Sequence, residues 1–120
     1  MPSCIFCQII EGKSPAQMLY QDEAVSAFRD KHPIAPVHVL IVPNKHIASV
    51  NDLRPEDEPL IGRMFRVARQ IARQEGVDQA GYRLIANTGP NAGQVIYHLH
   101  MHLIAYDREG GGRRKHAPMG

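Results

Sequence analysis

The segment from Tyr97 to Tyr106, "YHLHMHLIAY", alternates polar and apolar side chains without a break from His98 to Leu103. Successive side chains of a strand point to opposite faces, so the pattern predicts a strand with Leu99, Met101 and Leu103 on one face and His98, His100 and His102 on the other. A strand with so apolar a face has to lie in a sheet and be covered, which commits the chain to partner strands and an amphipathic helix. For any single histidine, a half-exposed polar position explains the residue. Three in register favour function, because exposed strand positions take Thr, Lys, Glu or Arg at least as readily and folding has no need of imidazole three times.

The rest of the chain supplies what that strand needs. In "CIFCQIIEG", Ile5, Phe6, Ile9 and Ile10 have helical spacing that stops at Gly12, predicting a short N-terminal helix. "AQMLYQD" and "AVSAFRD" predict a hairpin, and "HVLIVP" from His38 to Pro43 a buried strand. "RPEDEPLIGRMFRVARQIARQEG" predicts one long helix with Leu60, Ile61, Met64, Phe65, Val67, Ala68 and Ile71 on its buried stripe, acids in the first turn and Gly76 as the stop. "GYRLIAN" and "YHLHMHLIAY" predict two more strands, divided by the turn-rich "TGPNAGQ". Two helices and about five strands, most joined by links too short for parallel crossovers, make an α+β fold around a largely antiparallel sheet.

Length and charge narrow the function. A chain of 120 residues with 43% hydrophobic content suits one domain, residues 1–120, with a glycine-rich tail over 110–120. The balance of 14 basic and 12 acidic residues is not the footprint of a nucleic-acid binder. No apolar run approaches the roughly 18 residues of a membrane span, and "MPSCIFCQII" lacks signal-peptide features, so a cytoplasmic location is expected. A disulfide would be unusual there, which leaves Cys4 and Cys7 as ligands, redox groups or buried thiols.

Neutral imidazole is a nucleophile, a proton carrier and a metal ligand, and side chains two apart on a strand lie about 6.5 to 7 Å apart along it. That spacing suits a large tetrahedral group such as a phosphoryl, attacked by a central histidine while neighbouring donors hold its oxygens. "NTGPNAGQ" adds Gly89 and Gly93, whose backbone can approach an anion, and the amides of Asn87, Asn91 and Gln94. The C-x-x-C pair Cys4 and Cys7 fits a thioredoxin-like motif poorly at this position. Spacing alone leaves half of a zinc site and two buried thiols equally open, with His46 and His98 the natural partners for zinc.

"HLHMHLI" resembles the His-φ-His-φ-His-φ-φ signature of the histidine triad (HIT) family, φ being apolar. Upstream, "IFCQIIEGKSPAQMLYQDEAVSAFRDKHPIAPVHVLIVPNKHI" is similar to the N-terminal half of its Hint branch, and "GGRRKHAPMG" to the tail of that branch. The resemblance implies a mainly antiparallel five-stranded sheet with two helices, its sheets joined across a homodimer. It implies hydrolysis at the α-phosphate of a purine nucleotide, such as a nucleoside phosphoramidate or acyl adenylate, through a nucleotidyl-histidine that needs no metal for the chemistry. His100 would be the nucleophile, and His102 would donate to the phosphate and leaving group with the backbone from Gly93 to Val95. Asp30 would grip the ribose, Phe6, Ile9 and Phe28 would form the base pocket, and Asn87 and Gln94 would line the phosphate side.

The resemblance also favours a closed structural zinc site at Cys4, Cys7, His46 and His98. Two residues depart from the branch: Val95 stands where a hydroxyl is common, so only its N–H can serve, and Ala117 replaces a bulky tail aromatic. His38 and His116 are candidates for supporting roles, while His32 and His116 also fit solvated loops. The alternatives are a dinucleoside polyphosphate hydrolase and a purine-nucleotide-binding regulatory protein with little activity.

Overall fold

A computed structural model describes residues 4–106; the expected tail over 110–120, with His116 and Ala117, lies outside the described residues. Five strands form one sheet: β1 (Met18–Gln21), β2 (Val25–Arg29), β3 (Val37–Pro43), β4 (Arg83–Ile85) and β5 (Met101–Ala105). Their order is β1-β2-β3-β5-β4, and each neighbouring pair is antiparallel. With helices α1 (Ile5–Ile10) and α2 (Glu58–Gln74), this is the expected α+β architecture.

The β1–β2 hairpin closes on Asp22, whose carboxylate accepts from the backbone N–H groups of Ala24 and Val25 at 2.7 and 2.8 Å. Side-chain alternation then divides the sheet into two faces. On one, Val25, Ala27, Val37, Val39, Ile41, Met101, Leu103 and Ala105 pack against Met64, Val67, Ala68, Ile71 and Ala72 of α2. On the other, Phe28, Leu40 and Val42 pack with Phe6 of α1. The sheet is thus the middle layer, with structural apolar burial on the α2 side and the histidines on the α1 side. Glu75 caps α2, and its carboxylate takes two bonds from Arg29 at 2.9 and 3.0 Å, tying the helix end to β2; Gly76 follows at φ +74°.

Three expectations need correction. Phe65 is 51% exposed and lies off the buried stripe of α2, while Leu60 and Ile61 are only partly buried. The strand expected across "GYRLIAN" is confined to Arg83–Ile85. The strand expected across Tyr97 to Tyr106 begins at Met101, so His98 and His100 precede it. The β3–β5 ladder stops at the Ile41–Met101 pair, two residues before β3 ends at Pro43, because the preceding backbone turns to other partners: the Leu99 N–H goes to the Ile47 carbonyl at 2.6 Å, and the His98 ring to the Pro43 carbonyl at 2.8 Å. The imidazole side is also less open than a half-exposed strand would make it, because His98 is fully buried and His100 is 8% exposed.

Candidate active site

Two histidine clusters lie on the α1 side, and hydrogen bonds assign their tautomers. His98 donates from Nε2 to the Pro43 carbonyl, which leaves Nδ1 as a lone pair aimed at the thiols. That Nδ1 lies 3.3 Å from Cys4 Sγ and 3.6 Å from Cys7 Sγ, and His46 Nδ1 lies 3.4 Å from Cys7 Sγ. The ligand atoms of Cys4, Cys7, His46 and His98 all fall within 4.8 Å of one another. In a tetrahedral zinc centre with bonds of about 2.3 Å to sulfur and 2.05 Å to nitrogen, the S···N edge is about 3.6 Å. The observed S···N separations are close to that edge, so these four residues could hold a metal ion. Without a metal, burial and the adjacent Cys4 push the Cys7 thiol up, the opposite of the low value a redox dithiol needs.

The second group is a chain of rings. His100 donates from Nδ1 to the backbone carbonyl of His98 at 2.8 Å, so in the neutral ring Nε2 carries the lone pair. Phe6 meets this ring edge to face at 5.2 Å and holds its plane. Farther along, His38 Nε2 lies 2.9 Å from His102 Nδ1 and 3.3 Å from Asp30 Oδ2, while the Ile34 N–H points at His38 Nδ1 from 3.2 Å. Burial lowers His38, outweighing the opposing pull of Asp30, and its approach to Asp30 is a hydrogen bond rather than an ion pair near neutral pH. Burial first, then His100 and His38, push His102 down to about 4. Asp30, His38 and His102 also have the residue types of a metal site. The Ile34 N–H donates to His38 Nδ1, which puts the proton of the neutral ring on Nε2, facing His102 and Asp30, so the three side chains form a chain of hydrogen bonds.

His100 and His102 both face a cavity of about 580 Å³, the size of a small-ligand site. Of the residues expected in the site, Phe6, Ile9, Phe28, Asp30, Asn87, Gly93 and Val95 all line it. Gly93 at φ +90° and Gly89 at φ +85° shape the turn before Gln94, a backbone region that L side chains rarely adopt. Gln94 is not among the residues that line the cavity. It is 4% exposed, its Oε1 accepts from the Gly89 N–H at 3.0 Å, and its Nε2 donates to the carbonyls of Ala48 and Ile96. Its amide is consumed in pinning the glycine turn. Val95, by contrast, is 83% exposed at the cavity wall and brings no side-chain donor. Sequence reasoning missed Leu40, a wall residue hidden because every residue of β3 is buried and the strand shows no alternation.

A family model described as "Scavenger mRNA decapping enzyme C-term binding" matches residues 3–117. The chain is 52% identical over 100 residues to the purine nucleoside phosphoramidase of Escherichia coli (strain K12), covering 83% of this chain and 84% of that protein. It is similar to a HIT family hydrolase of Legionella pneumophila Philadelphia 1, with a TM-score of 0.87 at 41% identity, across 98% of this chain and 100% of that one. It is also similar to a zinc-bound histidine triad family protein of Mycobacterium smegmatis, with a TM-score of 0.76 at 27% identity, across 98% and 85% of the two chains.

Proposed function

The chain belongs to the histidine triad family, as a hydrolase of its phosphoramidase-like branch, and from that premise we propose that it cleaves a phosphorus–nitrogen or related bond at the α-phosphate of a purine nucleotide. The observation that carries the reading is the bond from His100 Nδ1 to the His98 carbonyl. It sets the Nδ1–H tautomer, which leaves the Nε2 lone pair of the neutral ring available beside an apolar base-sized wall of Phe6, Ile9 and Phe28 and the carboxylate of Asp30.

In the first displacement His100 Nε2 forms a bond to phosphorus and the bond to the leaving nitrogen breaks. His102, neutral near pH 7, hydrogen-bonds the oxygens on which charge builds, together with backbone N–H groups of the turn at Gly93. The Val95 side chain has no proton to give, and the leaving nitrogen takes its proton from water. In the second displacement water attacks phosphorus, the P–Nε2 bond to His100 breaks, the nucleoside monophosphate leaves, and the proton lost by that water makes up for the one the leaving nitrogen took. Splitting one difficult substitution into two through a labile P–N bond is what the held nucleophile contributes.

Zinc fits Cys4, Cys7, His46 and His98, which would hold it as a closed four-ligand centre with a structural role. We further propose a homodimer joined through a sheet edge, for which β4 is an edge strand among the described residues and the exposed Phe65 an apolar contact. The test of the reaction is kinetic: His100→Ala should bind AMP with near-native affinity yet hydrolyse an adenosine phosphoramidate at a rate lower by at least about a thousandfold, the scale for loss of a nucleophile. Wild-type protein that binds AMP but turns over neither a phosphoramidate nor a dinucleoside polyphosphate would make it a binding protein.

A further inference from the structure

His38 lies under the cavity rather than in its wall, 6% exposed on β3, with its ring wedged between a backbone N–H and the edge of His102. An apolar residue would fill that volume more simply, since β3 is buried along its whole length. A buried imidazole is tolerated only when its nitrogens are satisfied, and both of these are.

Two arrangements of protons are open to the neutral pair. In the first, His38 carries its proton on Nε2, accepts from Ile34 at Nδ1, and donates to His102 Nδ1 at 2.9 Å, with the Asp30 oxygen at 3.3 Å as a second, weaker acceptor. In the second, His102 Nδ1 carries the proton and donates back, which moves the His38 proton to Nδ1. That would set two donors, the Ile34 N–H and the His38 Nδ1–H, against each other at 3.2 Å, and turn a ring lone pair toward the Asp30 carboxylate. Both contacts change from attractive to repulsive, so only the first arrangement fits.

We propose that His38 is a positioning residue that locks His102 in the Nε2–H tautomer, so that a donor and not a lone pair faces the cavity. The device starts at a main-chain N–H: Ile34 sets His38, and His38 sets His102. It also passes beside Asp30, whose other oxygen accepts from the His32 N–H at 2.8 Å, so that the carboxylate lining the cavity and the ring that donates within it share one intermediate. An unlocked imidazole samples both tautomers and spends part of its time presenting an acceptor to an anionic phosphate, which repels it. The proposal rests on the reading of His102 as the donor to the phosphoryl group, and the closing experiment separates the two.

Nitrogen-15 NMR of the histidine rings in the full chain near pH 7.5 reports the tautomer without reference to activity. Wild type should show His102 protonated at Nε2 and bare at Nδ1. His38→Leu should give a mixed tautomer at His102 and a kcat for adenosine phosphoramidate lower by about tenfold, or 1.4 kcal/mol, with KM little changed. His38→Gln can accept from Ile34 through its oxygen and donate to His102 through its nitrogen, and should restore the single tautomer and most of kcat. A His102 protonated at Nδ1 in wild type, a tautomer unmoved in His38→Leu, or a His38→Gln as impaired as His38→Leu would overturn the proposal. A tautomer that shifts while kcat stays constant would uphold the lock and defeat the role given to His102.

Discussion

His98 is held at three points: its Nε2 on the Pro43 carbonyl, its Nδ1 facing both thiols, and its own carbonyl on His100 Nδ1. One residue therefore connects the candidate metal centre to the candidate nucleophile. The burial of the imidazoles also has a pH consequence. His38 and His102 are lowered in the fold, His102 to about 4, chiefly by burial, whereas an unfolded histidine titrates near 6.5. Between those values the unfolded chain binds more protons, so stability is fully present above about pH 6.5 and falls as pH drops toward 4. A denaturation midpoint measured at pH 7.5 and 5.0 should fall at the lower pH, and His102→Gln should reduce that fall. A midpoint equal at the two pH values would contradict it. The alternating spacing made the histidine row legible in the sequence. The tautomers were not, because backbone carbonyls and N–H groups of Pro43, His98 and Ile34 set them, and these leave no mark on side-chain identity. Gln94 escaped for the same reason, its amide being occupied by main-chain groups at Gly89, Ala48 and Ile96.

At the scale of elements, α1 is six residues long, too short to persist alone in water. Phe6 packed on Phe28 at 5.4 Å and the two thiols beside His46 and His98 hold it against the sheet. Metal analysis should accordingly find about one zinc per chain, and Cys7→Ser should lose it and lower the melting temperature by roughly 5–10 °C, the effect of one to two kcal/mol. Metal-free protein with undiminished stability would contradict this. The helices and the hairpin were legible because their apolar spacing and breakers agree. The start of β5 and the exposure of Phe65 were not: the first depends on where β3 stops pairing, the second on which flank of α2 the sheet reaches.

The whole molecule divides its labour across one sheet, with the α2 core on one face and α1, the thiols and the imidazole chain on the other. Among the described residues, no helix is long and apolar enough to cross a membrane. With the exposed Phe65 of α2 as an apolar contact of the proposed dimer, Phe65→Glu should move the mass measured by light scattering from dimer toward monomer; a wild type that runs as a monomer would refute the pairing. The central claim is that His100 Nε2 becomes bonded to phosphorus. Rapid acid-free quenching of the protein with an adenosine phosphoramidate, followed by peptide mass spectrometry, should place one nucleoside monophosphate on His100 in wild type and none in His100→Ala. Turnover with no adduct at any time, or an adduct on another residue that survives in His100→Ala, would contradict it.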